Sequence, residues 1–133
     1  MASYMSQAGV SSFSPYSTWV DMSARDQAKL WIRNYDYMSE ASGSGTWVQD
    51  YYRHTAMSFI DSALGGSYNV YSKAGWIWNG RGSRYHVYDD GGFVEKGDRP
   101  YVLAIMSSAN ASDQGRLAQL VCDLDAAHSQ LVR

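Results

Sequence analysis

The chain has 133 residues, of which 45% are hydrophobic and 18% charged, with a formal net charge of -2. That supplies one domain with an apolar core and argues against a disordered chain. Lysines and arginines are scattered singly, so there is no basic field for nucleic acid or an anionic membrane surface, and neither is an expected partner.

No run of about 18 apolar residues occurs, so no membrane span is expected. Residues 1–14 lack the basic and apolar regions of an export signal, although a signal on a longer precursor would leave no trace here. Cys122 is the single cysteine, which excludes an internal disulfide, and its place on an apolar helical stripe predicts a buried, inert thiol. Tyrosine and tryptophan far outnumber phenylalanine, a bias that suits wet grooves as well as cores.

In chain order, residues 1–20 mix Ser, Gly, Pro15 and aromatics without a sustained period and read as an irregular lead-in, with a short helical turn at best. Residues 21–133 read as a single α+β domain. Ser23 and Asp26 form a capping-box start, and Ala28, Trp31, Ile32, Tyr35 and Met38 follow at helical spacing, which predicts a helix over about 23–39 with Trp31, Tyr35 and Met38 in the core. Ser42-Gly43-Ser44-Gly45 breaks it. Thr46 and Gln49 offer a second capping box, and Val48, Tyr52, Thr55, Phe59 and Ala63 predict one further helix ending at Gly65-Gly66.

Strand chemistry begins after the double glycine. Residues 68–78 form the first expected strand, and Asn79-Gly80-Arg81-Gly82 is a turn signal. Residues 85–94 form a second strand, interrupted at Asp89-Asp90-Gly91, where the glycines predict a bulge or a close backbone approach and the paired carboxylates read as turn chemistry. Lys96-Gly97-Asp98-Arg99-Pro100 makes the next turn. Residues 101–106 are continuously apolar, the pattern of a central strand buried on both faces. Asn110 or Ser112 caps a last helix whose Leu117, Leu120 and Leu124 are expected to lie on the sheet. The connections are too short for crossovers, so the expected fold is an antiparallel sheet of three or more strands, with two helices before it and a C-terminal helix packed on it.

Three segments carry a resemblance: Tyr71-Ser72-Lys73-Ala74-Gly75-Trp76, Asp90-Gly91-Gly92-Phe93-Val94 and Pro100-Tyr101-Val102-Leu103-Ala104-Ile105-Met106. Their order and spacing resemble the C-terminal half of class A β-lactamase-like and penicillin-binding serine hydrolases, over about residues 16–132. In that family a Lys-Thr-Gly or Lys-Ser-Gly strand edges the active site. The resemblance implies that Lys73 binds a substrate carboxylate, Gly75 clears room for substrate backbone, and the Trp76 amide belongs to an oxyanion hole. Ala74 departs from the pattern, which carries a hydroxyl there.

The family's Ser-x-x-Lys nucleophile motif has no copy, because the residues three before Lys29, Lys73 and Lys96 are Asp26, Val70 and Phe93. Ser67-Tyr68-Asn69 and Ser108-Ala109-Asn110 match the family's Ser-x-Asn motif but lie beside strands, where they read as chance. The expectation is therefore the C-terminal portion of a serine hydrolase acting on amides, cell-wall peptides or β-lactams, with no catalytic residue of its own and inactive as this chain. Its expected partners are a helical subdomain supplied from elsewhere or another copy of itself, and its location is extracellular or in the cell envelope. The competing expectation is a non-catalytic module that binds peptide or glycan through a sheet edge and the aromatics Trp76, Trp78, Tyr85 and Tyr88. No cofactor is expected. No metal is expected either, because His54, His86 and His128 have no ligand spacing.

Overall fold

Ser23 starts the first long helix. In the computed structural model, which describes residues 2–10, 22–40, 43–77 and 86–132, its hydroxyl accepts the Asp26 amide at 3.1 Å, and helix α2 (Ala24–Ser39) follows. The lead-in is partly regular: helix α1 (Ala2–Gln7) docks on α2, with the Tyr4 hydroxyl donating to Asn34 Oδ1 at 2.6 Å. Beyond α1, the Lys29 ammonium donates to the Gly9 carbonyl at 2.7 Å.

The helix expected from Thr46 to Gly65 is instead two. Helix α3 (Gly43–Tyr52) begins before Thr46, and Gln49 closes no capping box but donates through Nε2 to the Met38 carbonyl at 2.9 Å, tying α3 to the end of α2. Gly45 permits that approach, since a Cβ there would lie 2.8 Å from the Glu40 carbonyl oxygen. Residues 53–58 then leave the helix, with left-handed φ of 53° at His54 and 65° at Met57. Tertiary hydrogen bonds compete successfully with the helix here: Thr55 Oγ1 donates to the Ser72 carbonyl at 2.8 Å, and the Tyr88 hydroxyl to the Met57 carbonyl at 2.7 Å. Ser58 restarts the helix by accepting the Asp61 amide, giving α4 (Phe59–Leu64).

Strands β1 (Asn69–Ile77), β2 (Val87–Glu95) and β3 (Tyr101–Ile105) form an antiparallel sheet in the order β1-β2-β3. The β1–β2 register runs one-to-one from Asn69 opposite Glu95 to Ile77 opposite Val87, so the expected bulge is absent and Asp89, Asp90 and Gly91 all belong to the strand. The glycines answer to the other expectation, a close approach. A Cβ on Gly91 would lie 2.8 Å from Trp31 Cδ1, and one on Gly92 would lie 2.9 Å from Ser72 Cβ. The turn expected at residues 79–82 lies outside the described residues. The apolar run 101–106 is a second correction: β2 takes the centre, and β3, an edge among the described residues, stays half-buried throughout.

Strand alternation divides the core in two. On one face Val70, Ala74, Tyr88 and Val94 pack with Phe59, Ile60 and Leu64 of α4 and with Leu117 and Val121 of α5 (Gln114–Leu131). On the other, Tyr71 and Phe93 pack with Trp31 and Met38 of α2, and the Tyr35 ring stacks on Phe93 at 3.8 Å. Asn110 caps the 3-10 turn Ala111–Asp113 that opens α5. Leu120 and Leu124 do not lie on the sheet but are 42% and 38% exposed, and Cys122 is exposed rather than buried. The inward stripe of α5 runs instead from Leu117 and Val121 to Asp125, which takes Lys96 and Tyr101. These are the features of an α+β fold with its C-terminal helix against an antiparallel sheet. Among the described residues no helix is long and apolar enough to cross a membrane.

Candidate functional site

The hydrogen bonds of β2 decide which way β1 faces. The Tyr88 amide donates to the Ser107 carbonyl at 3.0 Å, and the Tyr88 carbonyl accepts from Ser107 Oγ at 2.7 Å, so both backbone groups of Tyr88 point toward β3. Trp76 lies opposite Tyr88, so this is a non-hydrogen-bonded pair of the β1–β2 ladder, and the Trp76 backbone groups point away from β2 along the outer edge. By the same alternation Ala74 and Ser72 face outward. Two contacts agree: the Ala74 carbonyl accepts the Lys73 ammonium, and the Ser72 carbonyl accepts Thr55.

Along this edge Lys73 is exposed, and its ammonium is folded toward Trp76, 5.4 Å from the indole centroid. Trp76 is itself 40% exposed. A Cβ on Gly75 would meet nothing within 4 Å among the described residues, so no contact with them requires a glycine there. Ala74 differs from its neighbours: its methyl is buried in the core under α4 and presents nothing at the edge. Of the four aromatics considered for a stacking platform, Tyr88 is wholly buried, Trp76 is exposed, and Trp78 and Tyr85 lie outside the described residues. Among the described residues the four thus make an edge and not a pocket. An apolar groove of about 470 Å³, bordered by Ile32, Tyr35, Phe93 and Val102, lies instead between α2 and β3.

Beneath the edge is a cluster that the sequence analysis did not find. Ser58, Ser72 and Asp90 are all buried, at 4%, 0% and 0% exposure. Ser58 Oγ donates to Asp90 Oδ2 at 2.8 Å and lies 2.7 Å from Ser72 Oγ, and the Ile60 amide donates to the same Asp90 oxygen at 3.0 Å. Because Ser58 spends its one proton on Asp90, the Ser72 hydroxyl donates to Ser58. Burial pushes the Asp90 carboxyl up to about 6, against the opposing pull of these hydrogen bonds. Asp89, on the opposite sheet face, is also raised by burial, and its Oδ1 accepts the Ser107 amide at 2.7 Å. The reading of this pair as turn chemistry is therefore corrected. Ser72 is wholly buried and Ser58 nearly so.

The family model described as the beta-lactamase enzyme family matches residues 6–124. The chain belongs to that family. No curated protein and no solved structure gives a significant match. Membership supports a β-lactamase-like hydrolase at the level of the family. The two Ser-x-Asn matches have other work in this beta-lactamase family chain: Asn69 accepts from Arg53 at 3.0 Å and donates to Glu95 at 3.0 Å, while Asn110 is the helix cap. Among the described residues no group of three His, Cys, Asp or Glu side chains could hold a metal ion.

Proposed function

We propose that residues 73–76 form one wall of an acyl-transfer site for β-lactam or cell-wall peptide substrates, with the nucleophile supplied from outside these 133 residues. Lys73 holds the substrate carboxylate, using the ammonium protons not engaged by the Ala74 carbonyl. Gly75 lets the substrate backbone approach, and the Trp76 amide donates to the oxyanion that develops at the carbonyl. Ala74 adds no hydroxyl, so one hydrogen bond to the substrate carboxylate is lost relative to the family pattern.

The observation that carries this reading is Gly75. It sits on an edge whose neighbouring amide faces away from β2, yet the space a side chain would occupy holds no atom of the described residues. A nucleophile is still required, because a carboxylate-binding lysine and an oxyanion donor lower a barrier only for an attacking group already in place. The test is incubation with a labelled penicillin followed by intact-mass measurement, alongside a chromogenic cephalosporin assay. No adduct and no turnover are expected. A stoichiometric adduct, or turnover that persists in Lys73→Ala, contradicts the assignment of the nucleophile to a segment outside the chain.

The exposed Trp76 indole, with the Lys73 ammonium against it, favours a second reading in which the edge binds an extended peptide or glycan without chemistry. The two readings part on the gene: a Ser-x-x-Lys segment encoded upstream supports catalysis, and its lack supports binding.

A further inference from the structure

The buried cluster joins three elements at one point. Ser58 is the N-cap of α4, Ser72 immediately precedes Lys73 in β1, and Asp90 of β2 stands directly opposite Ala74. We propose that Asp90 is a positioning residue for the Lys73–Trp76 edge, acting through Ser58 and Ser72, and that gain or loss of its proton shifts that edge. Its importance for a ligand rests on the reading of residues 73–76 as a substrate edge. The coupling itself does not.

The two oxygens of Asp90 are unequal. Oδ2 accepts both Ser58 and Ile60, whereas Oδ1 is buried without a well-formed hydrogen bond among the described residues, with the Phe59 and Gly91 amides close enough to favour the charged form. Among the described residues, the groups facing Asp90 supply no compensating cation. On this face β1 offers Val70, Ser72, Ala74 and Trp76, none of them ionisable. β2 offers Tyr88, whose hydroxyl is spent on Met57, and α4 offers Asp61, whose amide caps on Ser58 while its carboxylate lies 3.5 Å from His54. β3 contributes Tyr101, and the facing part of α5 contributes Leu117 and Val121; Asp125 is bound to Tyr101 and Lys96.

Burial without a countercharge favours the acid form, and the resting place for its proton is Oδ1, since Oδ2 already accepts two donors. In that form the cluster keeps its present arrangement. Loss of the proton to solvent leaves a bare carboxylate oxygen in the core, and such an oxygen draws donors toward it. Ser58 is held on both sides, by Asp90 and by the Asp61 amide, so the hydroxyl free to re-aim is that of Ser72. Its backbone leads directly into Lys73, with its carbonyl pinned by Thr55.

The experiment is an NMR titration of the full chain between pH 4 and pH 8, following the Asp90 carboxyl carbon and the amides of residues 72–76. The amides are expected to titrate with the Asp90 midpoint. In Ser72→Ala the Asp90 titration is expected to persist while the amide shifts of residues 73–76 are lost, and in Asp90→Asn both are expected to vanish. Three results overturn the proposal: wild-type amides that do not follow Asp90, amides that still follow it in Ser72→Ala, which marks a through-space field effect only, or an unchanged amide titration in Asp90→Asn. If Asp90→Asn does not fold, the Ser72→Ala comparison decides. No ligand is added, so failure of the substrate-edge reading leaves this result intact, and the reverse holds.

Discussion

Gly75 and Gly91 are two residues of one sheet under opposite constraints, and their alanine variants should separate stability from function. Gly91 lies beneath the Trp31 indole, where an added methyl has no room, so Gly91→Ala is expected to cost about 1–3 kcal/mol in denaturant unfolding. Gly75 has open space, so Gly75→Ala should change stability by no more than about 0.5 kcal/mol while weakening ligand contact at the edge. Equal destabilisation of the two would show that Gly75 serves internal packing. Asp90 makes a separate prediction, with an unusual sign for an aspartate. Its folded value, about 6, exceeds the ordinary 3.8, so its contribution to stability is full below about pH 4 and is lost as the pH rises through 6. The shift sets an upper bound of about 3 kcal/mol on that loss. Asp90→Asn should remove this slope, which unfolding curves of both proteins at pH 4, 5, 6 and 7 would show; parallel profiles would contradict it.

At the scale of elements, hydrophobic pattern made α2, the three strands and α5 readable: helical spacing in α2 and α5, and β-forming or continuously apolar runs bounded by turn residues in the strands. The break between α3 and α4 was not readable. It is made by hydrogen bonds from Thr55 and Tyr88 that join residues distant in sequence, and local periodicity carries no record of them. Asp90 was misread for a related reason, since Asp-Asp-Gly-Gly has turn chemistry until Ser58 and Ile60 arrive from α4 as donors. Lys73, Gly75 and Trp76 were legible as a motif, whereas the direction of the Trp76 amide needed the ladder. On α5 the leucine stripe misled because polar groups do part of the docking. Lys96 donates to both oxygens of Asp125 at 2.7 and 2.8 Å, and the Tyr101 hydroxyl donates at 2.6 Å. Burial would raise the Asp125 carboxyl, but these hydrogen bonds and the Lys96 charge outweigh it and hold the carboxyl below its ordinary value. Asp125→Ala should therefore cost about 1.5–3 kcal/mol, against no more than about 0.5 kcal/mol for Leu124→Ala, and thermal unfolding would compare them.

Across the whole molecule, several large apolar side chains among the described residues stand exposed, Trp47 and Tyr51 among them. Ile32 is 55% exposed beside the groove along β3, and the β3 residues 101–105 include no charged side chain of the kind that guards an edge strand. Sedimentation at rising concentration is expected to show self-association, and a monomer at every concentration would mark a self-sufficient module. The proposed substrate wall, residues 73–76, lies at the opposite edge of the sheet. Its most direct test is an amide shift map recorded while a penicillin, as a carboxylate-bearing probe, is titrated into the chain. Perturbations centred on residues 73–76 that are lost in Lys73→Ala are expected. Perturbations centred on another face, or a pattern at this edge that survives removal of the Lys73 ammonium, would contradict it.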